Sequence, residues 1–258
     1  MKWRKLGRIF AVDGEAEWMR SHASVPIADH LEGDRFRVFF TSRDDANRSH
    51  VGWFEIDIAR PDEILALAEA PVLGPGKLGA FDEDGAMATW LVAHDGRRLM
   101  YYIGWNRGVT VPFRNSIGLA EWQPESGEFK RVSEGPVLDR NPADPYFVAS
   151  QCVLVEGATW HMWHLSGLDW RPGEPPQSSY NLRYAISADG VTWTPTGLVA
   201  VDFEHKGELA IARPSVIKDG DLWRMWFCYR GEDFPYRIGY AESRDAVRWT
   251  RHDDRVGI

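Results

Sequence analysis

Cysteine is nearly absent: the 258 residues include only Cys152 and Cys228, with no Cys-x-x-Cys pair, which excludes a disulfide framework and a thiolate metal knuckle. Reduced thiols in a cytoplasmic setting are therefore the expectation. Long apolar runs are missing too; none approaches the roughly 20 residues of a membrane-spanning helix. The opening MKWRKLGRIFAVDGE has basic residues but no apolar stretch before Asp13 and Glu15, so no secretory leader is expected. Positive charge is in deficit. Lys+Arg 30 against Asp+Glu 38 gives a formal net charge of -8, and neither nucleic acid nor a membrane is an expected partner. Nor is there a phosphate loop, dinucleotide fingerprint, nucleophile elbow or H-E-x-x-H helix. The closest histidines, His161 and His164, would point to opposite faces of a strand. No metal and no cofactor are expected. Helical spacing is scarce as well, confined to IARPDEILALAEA, where Ile64, Leu65, Leu67 and Ala68 would suit one short turn.

Aromatics are what the chain has in excess. Thirteen Trp, 8 Tyr and 12 Phe, with 24 Gly and 15 Pro, suit many short strands joined by tight turns. A repeat organises them. Gly33, Gly96, Gly157 and Gly220, spaced 63, 61 and 63 residues apart, each sit in a turn followed three residues later by Phe36, Leu99, Trp160 or Trp223. A third strand follows in each unit (51-VGWFEI-56, 116-SIGLAEW-122, 182-LRYAIS-187, 237-RIGYAES-243), and the last two run into the matching turns 187-SADGVTW-193 and 243-SRDAVRW-249. Four short strands per roughly 60-residue unit is the signature of propeller blades. The expected fold is all-β: one β-propeller domain over 1–258, with units near 21–73, 82–138, 146–200 and 208–258. The stretch 1–12 would supply a closing strand. Most of the Trp and Tyr residues are assigned to the core between sheets.

In a propeller the segments leading into the first strands gather in one polar mouth, so 20-RSHASVP-26, 81-FDEDGAMAT-89, 142-PADPYFVASQ-151 and 207-GELAIARPS-215 are where chemistry is expected. Their carboxylates include Asp82, Glu83, Asp84, Asp144 and Glu208. A pair of them across the mouth would serve as general acid and base on a glycosidic bond. The other population is cations and donors: His22, Arg43, Trp105, Asn106, Arg114, His164 beside Ser166, Arg213 and Arg230. Converging, they would offer forked donors to a carboxylate or phosphate, with aromatic faces for a sugar ring.

The pattern 224-RMWFCYRG-231, 237-RIGYAES-243, 187-SADGVTW-193 and 212-ARPSVI-217 resembles the five-bladed propellers of the glycoside hydrolase family 43, 32 and 130 superfamily, closest to uncharacterised bacterial glycosidase-like members. Four blade repeats are visible in this chain. The resemblance implies a catalytic base Asp at the first lead-in, an assisting Asp later and an acid Glu further on. This chain has His22 at the first position, and Ser150 and Arg213 at the corresponding points of the third and fourth units. The implied function is a glycoside hydrolase-like protein, a hydrolase or phosphorylase, acting on a sugar with an anionic group: an acidic sugar, a sugar phosphate or a nucleotide sugar. Glu208 would be its proton donor and Asp84 or Asp144 its base or modulator, with the cations as substrate contacts. The alternative is a non-catalytic carbohydrate-binding propeller serving polysaccharide or glycoconjugate assembly.

Overall fold

Strands make up almost all of the regular structure in the computed structural model, which describes residues 3–256; the one helical piece among the described residues is a 3-10 turn at Asp253–Arg255. Each sequence repeat becomes one antiparallel four-stranded meander. The first contains β1 (Ser21–Glu32), β2 (Arg35–Arg43), β3 (Ser49–Asp57) and β4 (Arg60–Leu67). The second contains β5 (Ala86–His94), β6 (Arg97–Arg107), β7 (Phe113–Gln123) and β8 (Glu128–Arg131). The third contains β9 (Val148–Glu156), β10 (Thr159–Arg171), β11 (Gln177–Ser187) and β12 (Trp193–Val201), and the fourth β13 (Glu208–Asp219), β14 (Leu222–Gly231), β15 (Arg237–Ser243) and β16 (Thr250–Arg251). One parallel pairing, Tyr180 with Ala210, links the last two. The four turn glycines lie in the left-handed region, with φ of 53, 74, 58 and 61°, which a side chain would make costly.

The matching turns at the ends of the third strands share one hydrogen-bond pattern. Asp189 accepts from the backbone N–H groups of Val191 and Thr192, and Asp245 from those of Val247 and Arg248. The indoles of Trp193 and Trp249 donate to the carbonyls of Gly190 and Ala246. Backbone donors hold the Asp189 carboxyl down at about 2.

By contact density the chain divides into two compact units: a first of residues 5–107 and 118–136, and a second of residues 3–4, 108–117 and 137–256. In the first, successive side chains of β2 point to opposite faces, as the strand period requires. Phe39 packs with Met100, Tyr102, Ala120 and Phe129, while Phe40 packs with Trp18, Phe54 and Ile56. In the second, the fully buried Trp163 is ringed by His161, Tyr184, Trp223 and Trp249. At about 25 cal/mol per Å², each of these aromatic side chains contributes a few kcal/mol on burial.

Two expectations fail here. The segment read as a helical turn is strand β4, because pairing Ile56 with Ile64 and Phe54 with Leu67 satisfies its backbone along β3, and Pro61 is harmless on an edge strand. The expected closing strand does not form over residues 3–12, and residues 1 and 2 lie outside the described residues. Side chains anchor that segment instead: the Trp3 indole donates to the carbonyl of Val256 at 2.6 Å, and Phe10 stacks on Phe54 at 4.5 Å.

Candidate functional site

Every first strand carries an irregularity near its start, and each falls on a residue of a sequence-predicted lead-in segment. His22 and Ala23 together face Ser42, Ser150 and Gln151 face His164, and Arg213 and Pro214 face Phe227; in β5 the extra residue is Thr89. Such bulges bend a strand and re-aim its side chains. His22, Ser150 and Arg213 have φ of 69, 43 and 56°, a left-handed conformation that costs a non-glycine residue about 1–2 kcal/mol. Nothing in the sequence flags this strain, since no glycine marks the positions.

In the first unit, one neighbourhood collects four of the predicted residues. His22 is exposed, with Nδ1 2.8 Å from Ser21 Oγ, and Ser21 pairs with Arg43 across β1 and β2. Arg43 donates to Asn47 Oδ1 at 2.8 Å and lies over the Trp105 ring at 5.5 Å. The Trp105 indole donates to Ser49 Oγ at 3.0 Å, and the Ser49 N–H donates to the Asp84 carbonyl at 2.9 Å. The Asp84 carboxylate accepts from the backbone N–H of Arg107 at 2.8 Å and pairs as an ion with its Nε at 3.2 Å. Asn106 turns away into the preceding loop, donating to the Ala80 carbonyl. Asp82 is only 1% exposed and accepts from Tyr102 Oη at 3.0 Å and Arg131 Nε at 2.7 Å. Ser49, Arg107 and Arg131 were missed from sequence.

In the second unit, Asp144 is likewise buried. His164 Nε2 is 3.2 Å from its Oδ1, and Asn141 Nδ2 donates to its Oδ2 at 2.8 Å. Burial pushes the carboxyl up, but the hydrogen bond and charge of His164, with Asn141, outweigh it and hold the group at about 2. Glu208 is gripped by a two-point fork, Arg251 donating at 2.9 and 2.8 Å, and also accepts from the backbone of Glu204 and His205. Burial opposes ionisation there as well, yet these donors leave its pKa below the ordinary value. A proton donor needs the opposite shift, so the geometry does not suit Glu208 to the acid role expected of it. Arg251 lies 43 residues away in the last strand and carried no sequence signal.

Arg230 has a different setting. Its guanidinium sits 6.0 Å from the Tyr180 ring centre and 5.7 Å from that of Tyr236, and the two tyrosine hydroxyls are 2.5 Å apart. Tyr236 is 52% exposed, which leaves its ring available to a ligand. From Tyr180 an aromatic shelf continues through Phe147 at 6.2 Å, Trp170 at 5.5 Å and Phe113 at 5.1 Å, with the exposed Arg114 next in sequence. Arg213 is largely enclosed near the thiols of Cys228 and Cys152, and burial lowers its pKa. Tyr180, Tyr236 and Trp170 are among the Trp and Tyr residues that sequence assigns mostly to the core, and Phe147, at 2% exposure, is core; Arg230 and Arg114 are the sequence-predicted contacts here. Among the described residues no group of three or more His, Cys, Asp or Glu could hold a metal ion, and no helix is long and apolar enough to cross a membrane.

No family model matches the chain. It is 41% identical over 259 residues to two Mycobacterium tuberculosis proteins, "Uncharacterized protein MT1551" of strain CDC 1551 / Oshkosh and "Uncharacterized protein Rv1502" of strain ATCC 25618 / H37Rv, covering 100% of this chain and 85% of each relative. Among solved structures it superposes on a glycosyl hydrolase from Bacteroides ovatus with a TM-score of 0.66, at 15% identity over 92% of this chain and 71% of that protein. It superposes on the alpha-L-arabinanase of Cellvibrio cellulosa with a TM-score of 0.66, at 13% identity over 98% and 86%. What these superpositions show is the fold, which this chain shares with the solved glycoside hydrolases.

Proposed function

We propose that this chain, which belongs to the family of the Mycobacterium tuberculosis proteins MT1551 and Rv1502, is a glycosidase-like protein that binds a sugar bearing an anionic group. On this reading each meander is one blade of the five-bladed glycosidase type, four of them in this chain. The observation that carries the ligand class is Arg230, poised over Tyr180 and Tyr236 at the end of the aromatic shelf. Aromatic faces suit the C–H face of a sugar ring, and a guanidinium fork suits a carboxylate or phosphate. A neutral sugar would make no use of that charge.

The same reading favours binding over two-carboxylate hydrolysis. That mechanism needs one carboxyl kept protonated and another free to act as base. Glu208 and Asp144 are both held below their ordinary pKa by buried partners, and Asp84 is engaged by Arg107. The role in polysaccharide or glycoconjugate assembly thus becomes the leading one.

The test is calorimetric titration with uronic acids, sugar phosphates, nucleotide sugars and neutral sugars. Arg230→Ala is expected to weaken an acidic ligand about tenfold to a hundredfold, the equivalent of one charge-assisted hydrogen bond, and to spare neutral sugars. Failure of every acidic sugar to bind the wild type, or equal losses for acidic and neutral sugars, would overturn the proposal.

A further inference from the structure

Arg230 and its two tyrosines meet because they stand in one row across the sheet. Tyr180 on β11 pairs with Ala210 on β13, and Ala210 pairs with Arg230 on β14. The pairing of Tyr229 with Arg237 on β15, continued by one residue, sets Tyr236 beside Arg230. Residues opposed across neighbouring strands project to the same side, and such strands lie about 5 Å apart, so these side chains share one face. Ala210 is fully buried and brings only a methyl group to the row, which leaves the Tyr180 ring and the Arg230 guanidinium free to approach above it. A tight turn returns Tyr236 to the row: the Gly231 N–H donates to the Phe234 carbonyl at 3.2 Å, and the Phe234 ring fills the space that a side chain at Gly231 would need.

The hydrogens of this row do not balance within it. Burial works against the Arg230 charge, but hydrogen bonds to the Tyr236 and Tyr180 oxygens raise its pKa overall. A guanidinium only donates, so both oxygens act as its acceptors. Burial also pushes the Tyr180 phenol up and keeps it neutral. The two hydroxyls lie 2.5 Å apart, and one of their two hydrogens fills the bond between them. Among the described residues nothing accepts the other hydrogen, and no carboxylate pairs with Arg230. The row therefore holds one positive charge and one spare O–H side by side. Water would take the hydrogen but leave the charge. An oxyanion answers both, with one oxygen for the guanidinium and a second for the phenol. Tyr180 is the more enclosed of the pair and Tyr236 is 52% exposed, which puts the spare hydrogen on Tyr236.

We propose that Tyr236 is the specificity-determining residue of the acidic-sugar site: its hydroxyl donates to an oxygen of the carboxylate or phosphate that Arg230 holds, and Tyr180 is its positioning partner. This rests on the reading that Arg230 binds the anionic group. The test is calorimetric titration of the wild type, Tyr236→Phe, Tyr180→Phe and Arg230→Ala with glucuronic acid, galacturonic acid, glucose 6-phosphate and glucuronamide, the uncharged amide of the first. The uronate and phosphate arms identify the oxyanion. Tyr236→Phe keeps the ring and should weaken the acidic ligand about tenfold while leaving the amide unaffected, and Tyr180→Phe should cost less. Without ligand, proton magnetic resonance should show a downfield hydrogen-bonded phenol proton that vanishes in either phenylalanine variant. Unchanged acidic affinity in Tyr236→Phe beside a selective loss in Arg230→Ala would overturn this inference and leave the Arg230 reading standing. No selective loss in either variant, or no acid binding the wild type, would overturn both. A greater loss in Tyr180→Phe, or no downfield proton in the wild type, would overturn the assignment to Tyr236.

Discussion

Asp82 in the first unit and Asp144 in the second occupy matching places, each four residues before the first strand of its sheet and each 1% exposed. Both take a partner from the second strand of that sheet, Tyr102 on β6 and His164 on β10. They differ in the rest. Arg131 gives Asp82 a permanent cation from the outer strand β8, whereas Asp144 relies on an imidazole and the amide of Asn141. One position in a repeated scaffold therefore has two solutions, one that includes a permanent cation and one that does without it. The difference teaches that burial sets the demand for a partner while the individual repeat decides which one.

Removing the permanent cation should produce the largest effect. Arg131→Met leaves Asp82 buried opposite Tyr102 alone and should cost about 3–5 kcal/mol in urea unfolding. A cost below that of His164→Ala would reverse the ranking of the two sites. Next comes Glu208→Gln, which keeps the shape but removes the charge facing Arg251, and should cost about 1–3 kcal/mol while leaving sugar binding intact. Selective loss of turnover at unchanged stability would restore Glu208 as the proton donor.

The pH arm separates the two carboxylates. The folded pKa of Asp144, about 2, lies below the ordinary 3.8, so its stabilising contribution is complete above about pH 4 and disappears as pH falls through about 2. Over that window unfolding free energy should fall by about 2 kcal/mol, and Asp144→Asn should remove this component. An unchanged acid limb in the variant would show that other groups carry it. Smallest is the strain itself: His22→Gly is expected to raise stability by up to about 1 kcal/mol, because the exposed ring adds little packing and glycine tolerates a φ of 69°. A loss of 1 kcal/mol would mean that the histidine stabilises its bulge.

The four meanders were legible because each rests on local signals: a turn glycine, an anchor three residues later and a third strand at a fixed distance. IARPDEILALAEA misled because apolar spacing in a short segment fits a turn of helix as well as an edge strand, and only pairing with β3 decides. For the site, residues were readable and partners were not. Arg131 is 49 residues from Asp82 and Arg251 is 43 from Glu208, separations at which no local pattern reports a contact. Tyr180 and Tyr236 look like the many core aromatics until the exposure of Tyr236 distinguishes it.

The left-handed bulges at His22, Ser150 and Arg213 act as sockets. An imidazole, a hydroxyl and a guanidinium, the first exposed and the other two enclosed, are carried by one kind of backbone kink, whose shape comes from strand register rather than from the side chain it holds. A lineage built on such sockets can trade one functional group for another at a single codon while its sheets stay as they are, so closely similar scaffolds are free to part company in the ligands they select.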